Sequence, residues 1–167
     1  MESKFLSDVR EHAEANFASG LYCAESVVVA LARAQGLDAD QAAKAATAFC
    51  SGMARTCGTC GALTGGIMGV SLALGRSKPG ESVEPAYEAT QRLVHDFERA
   101  FGARNCSDLL GCDLGTPDGQ LAFREQRLHE RCARYTSKAA ELAARAILES
   151  GTADAPPTCC LTPPRAQ

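Results

Sequence analysis

Tryptophan is absent from this chain of 167 residues, and aromatic residues make up only 5% of it. That leaves little material for the stacking platforms that single-stranded nucleic acids use. A basic stripe is missing as well. The 17 Lys and Arg are interspersed among 20 Asp and Glu, and the net charge is -3, so a polyanion finds no face to grip. Long apolar runs are lacking. The longest weakly polar stretch, Gly61 to Leu74, is 14 residues, short of the roughly 20 that a membrane-spanning helix needs. The opening residues MESKFLSDVREH alternate charged and apolar side chains and contain no apolar core of a secretory leader. Together these absences predict a cytoplasmic protein with no membrane span and no nucleic-acid partner.

Familiar catalytic signatures are missing too. The chain has no Gly-rich phosphate loop, no serine-nucleophile elbow and no convincing pair of carboxylates. No repeat of fixed period occurs, which disfavours a solenoid. Strand-type alternation is absent, whereas helical periodicity runs through the chain. It predicts helices over 3–17, 22–35, 39–50 capped by Asp38, 63–74 and 83–101 with Gly102 as a stop. A short turn of helix over 105–110 follows, and a last helix opens at Thr116-Pro117-Asp118 and runs to about Leu148. The expected fold is all-α, a single-domain bundle of about five to six helices over residues 1–150. At this size roughly 70% of the unfolded surface can be buried, so no covalent staple is required. Residues 151–167, GTADAPPTCCLTPPRAQ, carry four prolines and almost no apolar mass, the composition of a flexible tail.

What the chain has in abundance is cysteine. Nine are present, at 23, 50, 57, 60, 106, 112, 132, 159 and 160. An odd count without a leader does not suit a secreted disulfide framework. In a reducing compartment, clustered cysteines more often bind metal or perform thiol chemistry. The plainest alternative is a small buried hydrophobe, and Cys50, in the apolar run AATAFC, is the first candidate for that role.

The richest stretch is RTCGTCGALTGGIMG, residues 55–69. Cys57 and Cys60 form a CxxC pair. The thioredoxin version of that motif needs a βαβ context, which is missing here. Cys60 stands where a helix should begin, so unpaired N–H groups and the positive end of the helix dipole favour its thiolate. That predicts Cys60 to be the most easily ionised of the core cysteines and, with Cys57, the candidate catalytic pair. After it, Gly61, Gly65 and Gly69 are spaced by four, and Ala73 continues the row. Each glycine costs a helix interior about 1 kcal/mol relative to alanine. A close neighbour, in the same chain or across a homodimer, is the compensating reason.

Three single cysteines accompany this stretch: Cys23 in LYCAES, Cys106 in RNCSDLLGC and Cys132 in HERCARY. On these residues the chain resembles the C_GCAxxG_C_C family of redox-active proteins. Its C-G-A-x-x-G motif stands here as Cys60-Gly61-Ala62-Leu63-Thr64-Gly65, and its separate cysteines match Cys23, Cys106 and Cys132. The likeness spans roughly residues 5–148. It implies a helical, redox-active protein in which Cys23, Cys60, Cys106 and Cys132 converge as cofactor-binding and metal-ligating residues.

Four convergent thiolates can hold an iron–sulfur cluster, zinc or another soft metal. Without metal they can cycle between dithiol and disulfide, with Cys60 attacking. The scatter of these residues along the chain disfavours a small zinc module, whose ligands cluster locally. The expected partner is accordingly a redox protein or a soft metal or metalloid ion. In the second case Cys57, Cys60 and the tail pair Cys159-Cys160 would capture the ion. His129, three residues before Cys132, is the histidine placed to act as ligand or proton donor, while Asp108 and Asp113 read as capping residues.

Overall fold

The helical periodicity is realised as eight right-handed α-helices, more than the five or six expected, and no strand forms among the described residues. The computed structural model describes residues 2–150. The tail 151–167, with its expected flexibility and its Cys159-Cys160 pair, lies outside the described residues. Helix α1 is Glu2–Ala18, α2 Cys23–Ala34, α3 Ala39–Ala46 and α4 Gly61–Leu74. Helix α5 is Glu84–Phe101, α6 Cys106–Leu110, α7 Pro117–Glu125 and α8 His129–Ser150.

Several ends fall where local chemistry places them. The Asp38 carboxylate accepts from the backbone N–H groups of Asp40 and Gln41 at 3.0 and 3.1 Å, opening α3. Thr116 accepts from Gly119 N–H at 3.0 Å and opens α7, with Pro117 in its first turn. Gly102 closes α5 in the left-handed region, at φ 78°.

Two expected helices are corrected. The third ends at Ala46 rather than Cys50, passing through a 3-10 turn at Thr47–Phe49. The last is two helices, because Arg127 adopts φ 52°. Leu128 N–H then donates to Phe123 O at 3.0 Å, the wrap-around bond of a helix terminus. The break turns Leu128 into the core at 2% exposure and leaves Leu121 47% exposed. Burying Leu128 is worth about 1.5–3 kcal/mol, which outweighs continuing the helix with Leu121 on the same face.

Helix α8 packs against α1, α2, α4 and α5, and α2 also packs against α1, α3 and α4. Small side chains allow this density: Ala139, Ala140, Ala143 and Ala144 of α8 are fully buried around Leu63, Leu93 and Phe97. The glycine row of α4 faces α2. A β-carbon at Gly65 would lie 2.5 Å from Ala24 O and 2.9 Å from its Cα, and one at Gly69 would strike the Leu31 side chain. The neighbour that explains the row is therefore a helix of the same chain. Ala73 is exposed, so the close contact ends at Gly69. Asn16 ties α1 to the start of α2 by donating to Ser26 O at 3.1 Å, and Ser26 Oγ donates to Leu21 O at 3.2 Å. These bonds brace the chain around Cys23.

Candidate functional site

Cys23 is the first residue of α2, Cys60 the N-cap of α4, and Cys106 the first residue of α6; Cys132 lies in the first turn of α8. All four matched cysteines thus stand at helix N-termini, and all four line one cavity of about 240 Å³. Apolar walls enclose them, chiefly Phe17, Leu109, Leu110, Phe123 and Tyr135, while the exposed Arg55, Arg124 and His129 also line the space. The helices expected over 22–35, 63–74 and 105–110 already put Cys23, Cys60 and Cys106 close to helix starts. The resemblance implies that the four converge, and they do line one cavity; what differs is the helix start near Cys132, because the sequence reads as one unbroken helix from Thr116.

Two backbone contacts fix the relation of Cys60 to Cys106. Thr59 and Asn105 form an isolated antiparallel bridge. Beside it, Cys60 N–H donates to Arg104 O at 2.7 Å and Cys106 N–H to Gly58 O at 2.9 Å. Tyr135 then anchors α6 to α8, its buried hydroxyl donating to Leu109 O at 3.0 Å. The ring of Tyr135 packs edge-on against Phe101 and Phe97. That hydrogen bond links the Cys106 and Cys132 helices directly.

The segment between Cys50 and Cys60 departs most from expectation. Ser51, Gly52, Met53 and Ala54 have φ between 54° and 66°, and Arg55 has φ 69°. This is one turn of left-handed helix, closed by Thr56 N–H donating to Gly52 O at 3.2 Å. An L-residue in that conformation costs about 1–2 kcal/mol. The neighbours of Gly52 hold a similar φ with side chains, so what requires glycine there is the Cys106 side chain, which occupies the space of a β-carbon. Ser51 and Arg55 of this turn line the cavity. Strained backbone at a lined cavity is where functional sites tend to store it.

Burial governs the thiols. Cys60 is only 5% exposed and is pushed up to about 11 by desolvation, against the opposing pull of hydrogen bonds from the Ala62 and Leu63 N–H groups. Cys106 rises to about 11 and Cys132 to about 12, again chiefly by burial. The expectation that helix-start Cys60 ionises most easily is thus corrected. The helix terminus does favour its thiolate, but exclusion of water is the larger effect, and it does not set Cys60 below Cys106. As bare thiols at neutral pH all three are protonated.

Cys57, the other half of the CxxC, is not part of the cavity lining. It is half-buried at φ 61°, and its thiol is raised chiefly by a hydrogen bond to Asp113. Neither Asp113 nor Asp108 caps a helix as expected: Thr116 and Asn105 hold the N-cap positions, while Asp113 accepts from Gly115 N–H at 2.7 Å and Asp108 from Asn105 Nδ2 at 3.3 Å. Cys112 is half-buried, and burial raises its thiol. Cys50 is 3% exposed, as a small buried hydrophobe should be, yet its thiol neighbours that of Cys23, the largest influence holding it protonated.

Four thiols lining one cavity suit a soft metal in kind. In position they suit it less completely, because among the described residues no three His, Cys, Asp or Glu side chains are grouped to hold a metal ion. A single zinc needs its sulfurs about 2.3 Å from one point. A cluster of several irons needs sulfurs that surround it, a looser demand on this arrangement.

The family model described as "Putative redox-active protein (C_GCAxxG_C_C)" matches residues 21–146, a span that includes all four cavity cysteines. No curated protein and no solved structure gave a match.

Proposed function

The chain belongs to the C_GCAxxG_C_C family, and from that premise we propose that it is a redox protein whose centre is an iron–sulfur cluster held by Cys23, Cys60, Cys106 and Cys132. One observation carries the proposal: four cysteines, each from the N-terminal end of a different helix, line the same apolar cavity. A cluster with four thiolate ligands is anionic, and helix N-termini are where unpaired N–H groups and the positive ends of helix dipoles stabilise anions. The N–H groups of Ala62 and Leu63 already favour the Cys60 thiolate in this way. The cluster would supply one-electron transfer. The chain's own residues would exclude water through Phe17, Leu110 and Phe123 and position the sulfurs through the Tyr135 hydroxyl. Because the bare thiols are protonated, loading releases protons and strengthens with rising pH.

Anaerobic reconstitution with ferrous iron and sulfide tests the proposal. Expected are a brown protein with visible absorption and stoichiometric iron and sulfide. A colourless, iron-free product overturns it.

A second reading, metal-free dithiol chemistry, is favoured by the adjacency of the Cys23 and Cys50 thiols. It predicts two-electron chemistry that survives chelation.

A further inference from the structure

Cys50 has no counterpart among the four cysteines of the family pattern, yet its position is not that of a passive core residue. Its thiol neighbours Cys23 Sγ and lies 3.8 Å from Ala46 O. Gly61 marks the spot between the two. A β-carbon there would collide with Cys23 Sγ and lie 3.1 Å from Cys50 Cα and 3.1 Å from Phe49 O. The first glycine of the row thus leaves the room in which the two cysteines meet. The two differ in access: Cys23 lines the cavity and is half-buried, whereas Cys50 lies behind it at 3% exposure. Cys50 also heads the left-handed turn, so its backbone joins a conventional 3-10 turn to a strained one.

We propose that Cys23 and Cys50 are a redox-active dithiol that forms an intramolecular disulfide by exchange with a low-molecular-weight disulfide, and that this disulfide withdraws Cys23 from the four-sulfur centre. The roles follow from access. Cys23, reachable from the cavity, attacks one sulfur of the incoming R–S–S–R as its thiolate. It forms a mixed disulfide and expels RS⁻. Cys50 then attacks the Cys23 sulfur, forming the Cys23–Cys50 bond and expelling the second RS⁻. The two thiol protons end on the two departing sulfurs. The protein loses two electrons and two protons, and the small disulfide becomes two thiols. A sulfur engaged in a disulfide is no longer a thiolate ligand, so oxidation of this pair opposes loading of the centre. The coupling rests on the proposed four-sulfur centre, whereas the disulfide itself does not.

Oxidised glutathione, added to the reduced, metal-free full chain, is the probe. Acid quenching, alkylation and non-reducing peptide mapping read the product. The expected first product is a peptide pair joined through Cys23 and Cys50. In Cys50→Ala the reaction should stop one step earlier, with glutathione retained on Cys23. The wild-type map carries the test by itself should that variant fail to fold. Alkylatable Cys50 remaining after Cys23 has been oxidised, or Cys23 joined to Cys60, Cys106 or Cys132 instead, overturns the proposal. Iron and sulfide reconstitution of the pre-oxidised wild type tests the coupling, with iron uptake expected to fall as the yield of the disulfide rises. If the disulfide forms and uptake is unchanged, the coupling is wrong. If the reduced protein takes up no iron while the disulfide still forms, it is the four-sulfur centre that fails.

Discussion

Two short segments separated by five residues in the chain show opposite ways of bringing backbone close to backbone. In α4, Gly61, Gly65 and Gly69 keep ordinary right-handed geometry and omit side chains, so that α2 can press against a smooth stripe. In residues 51–55 the side chains remain and the backbone itself departs, winding left-handed so that Gly52 meets Cys106. The first solution is paid for locally and recovered by close packing over a whole helix face. The second has no comparable packing reward, since Met53, Ala54 and Arg55 are exposed. Its product is position: Ser51 and Arg55 against the cavity, and Cys50 against Cys23. The contrast separates a frame, built for stability, from a wall, built for the site.

The largest effect should come from breaking the frame. Gly65→Leu drives a side chain into the backbone of Ala24, which cannot rotate away. The loss should reach or exceed the upper end of the usual overpacking range of about 1–3 kcal/mol, read as a fall in the urea midpoint. A midpoint unchanged from wild type would show that α2 and α4 are not pressed together at this row.

A second effect tests the cavity that both segments enclose. Cys60, Cys106 and Cys132 have folded-state values raised from 9.0 to about 11, 11 and 12. In that window the unfolded chain has released protons that the folded one still holds, so stability falls as pH rises. The reduced, metal-free protein should be insensitive to these groups below about pH 9 and lose stability progressively between about 9 and 12. Denaturant melts across that range read the slope. A slope of the same size in a variant carrying serine at all three positions would assign the loss to other groups.

Gly52→Ala asks what the left-handed wall is for. The left-handed conformation alone costs alanine about 1–2 kcal/mol, and the new methyl meets the Cys106 side chain. The stability loss should be smaller than at Gly65, with iron uptake impaired beyond what that loss explains. Wild-type iron content in a folded Gly52→Ala protein would show that the wall does not position Cys106.

The smallest effect lies outside both segments and sharpens the contrast. Arg127 also sits at positive φ, but at a helix end remote from the left-handed turn in sequence, where glycine is the preferred residue. Arg127→Gly should relieve that strain while losing the exposed ion pair to Glu130, 2.7 Å long and worth little. A gain of up to about 1 kcal/mol is expected, with thiol chemistry unchanged. Destabilisation by a comparable amount would mean that strain at this position is not relievable.

What could be read along the chain was what depends on neighbours within a turn or two. Apolar spacing, Asp38 and Thr116 as caps and Gly102 as a stop prescribe an all-α chain. The four-residue rhythm of Gly61, Gly65 and Gly69 prescribes a close contact. The number of helices was misjudged because the break at Arg127 follows from the burial of Leu128, a reward that exists only once the core does. The left-handed turn was invisible for the same reason, since Ser51, Met53, Ala54 and Arg55 individually favour ordinary geometry.

Sequence by itself determined the helical class, the glycine stripe and which four cysteines match the family pattern, because each of these is encoded in local spacing. Only the tertiary structure decided that those cysteines share a cavity from four helix ends, and that Cys50 stands beside Cys23. It also decided that Cys60 remains protonated despite its helix start. Each of these outcomes depends on which segments exclude water from which others, and that is a property of the packed chain rather than of any stretch of it.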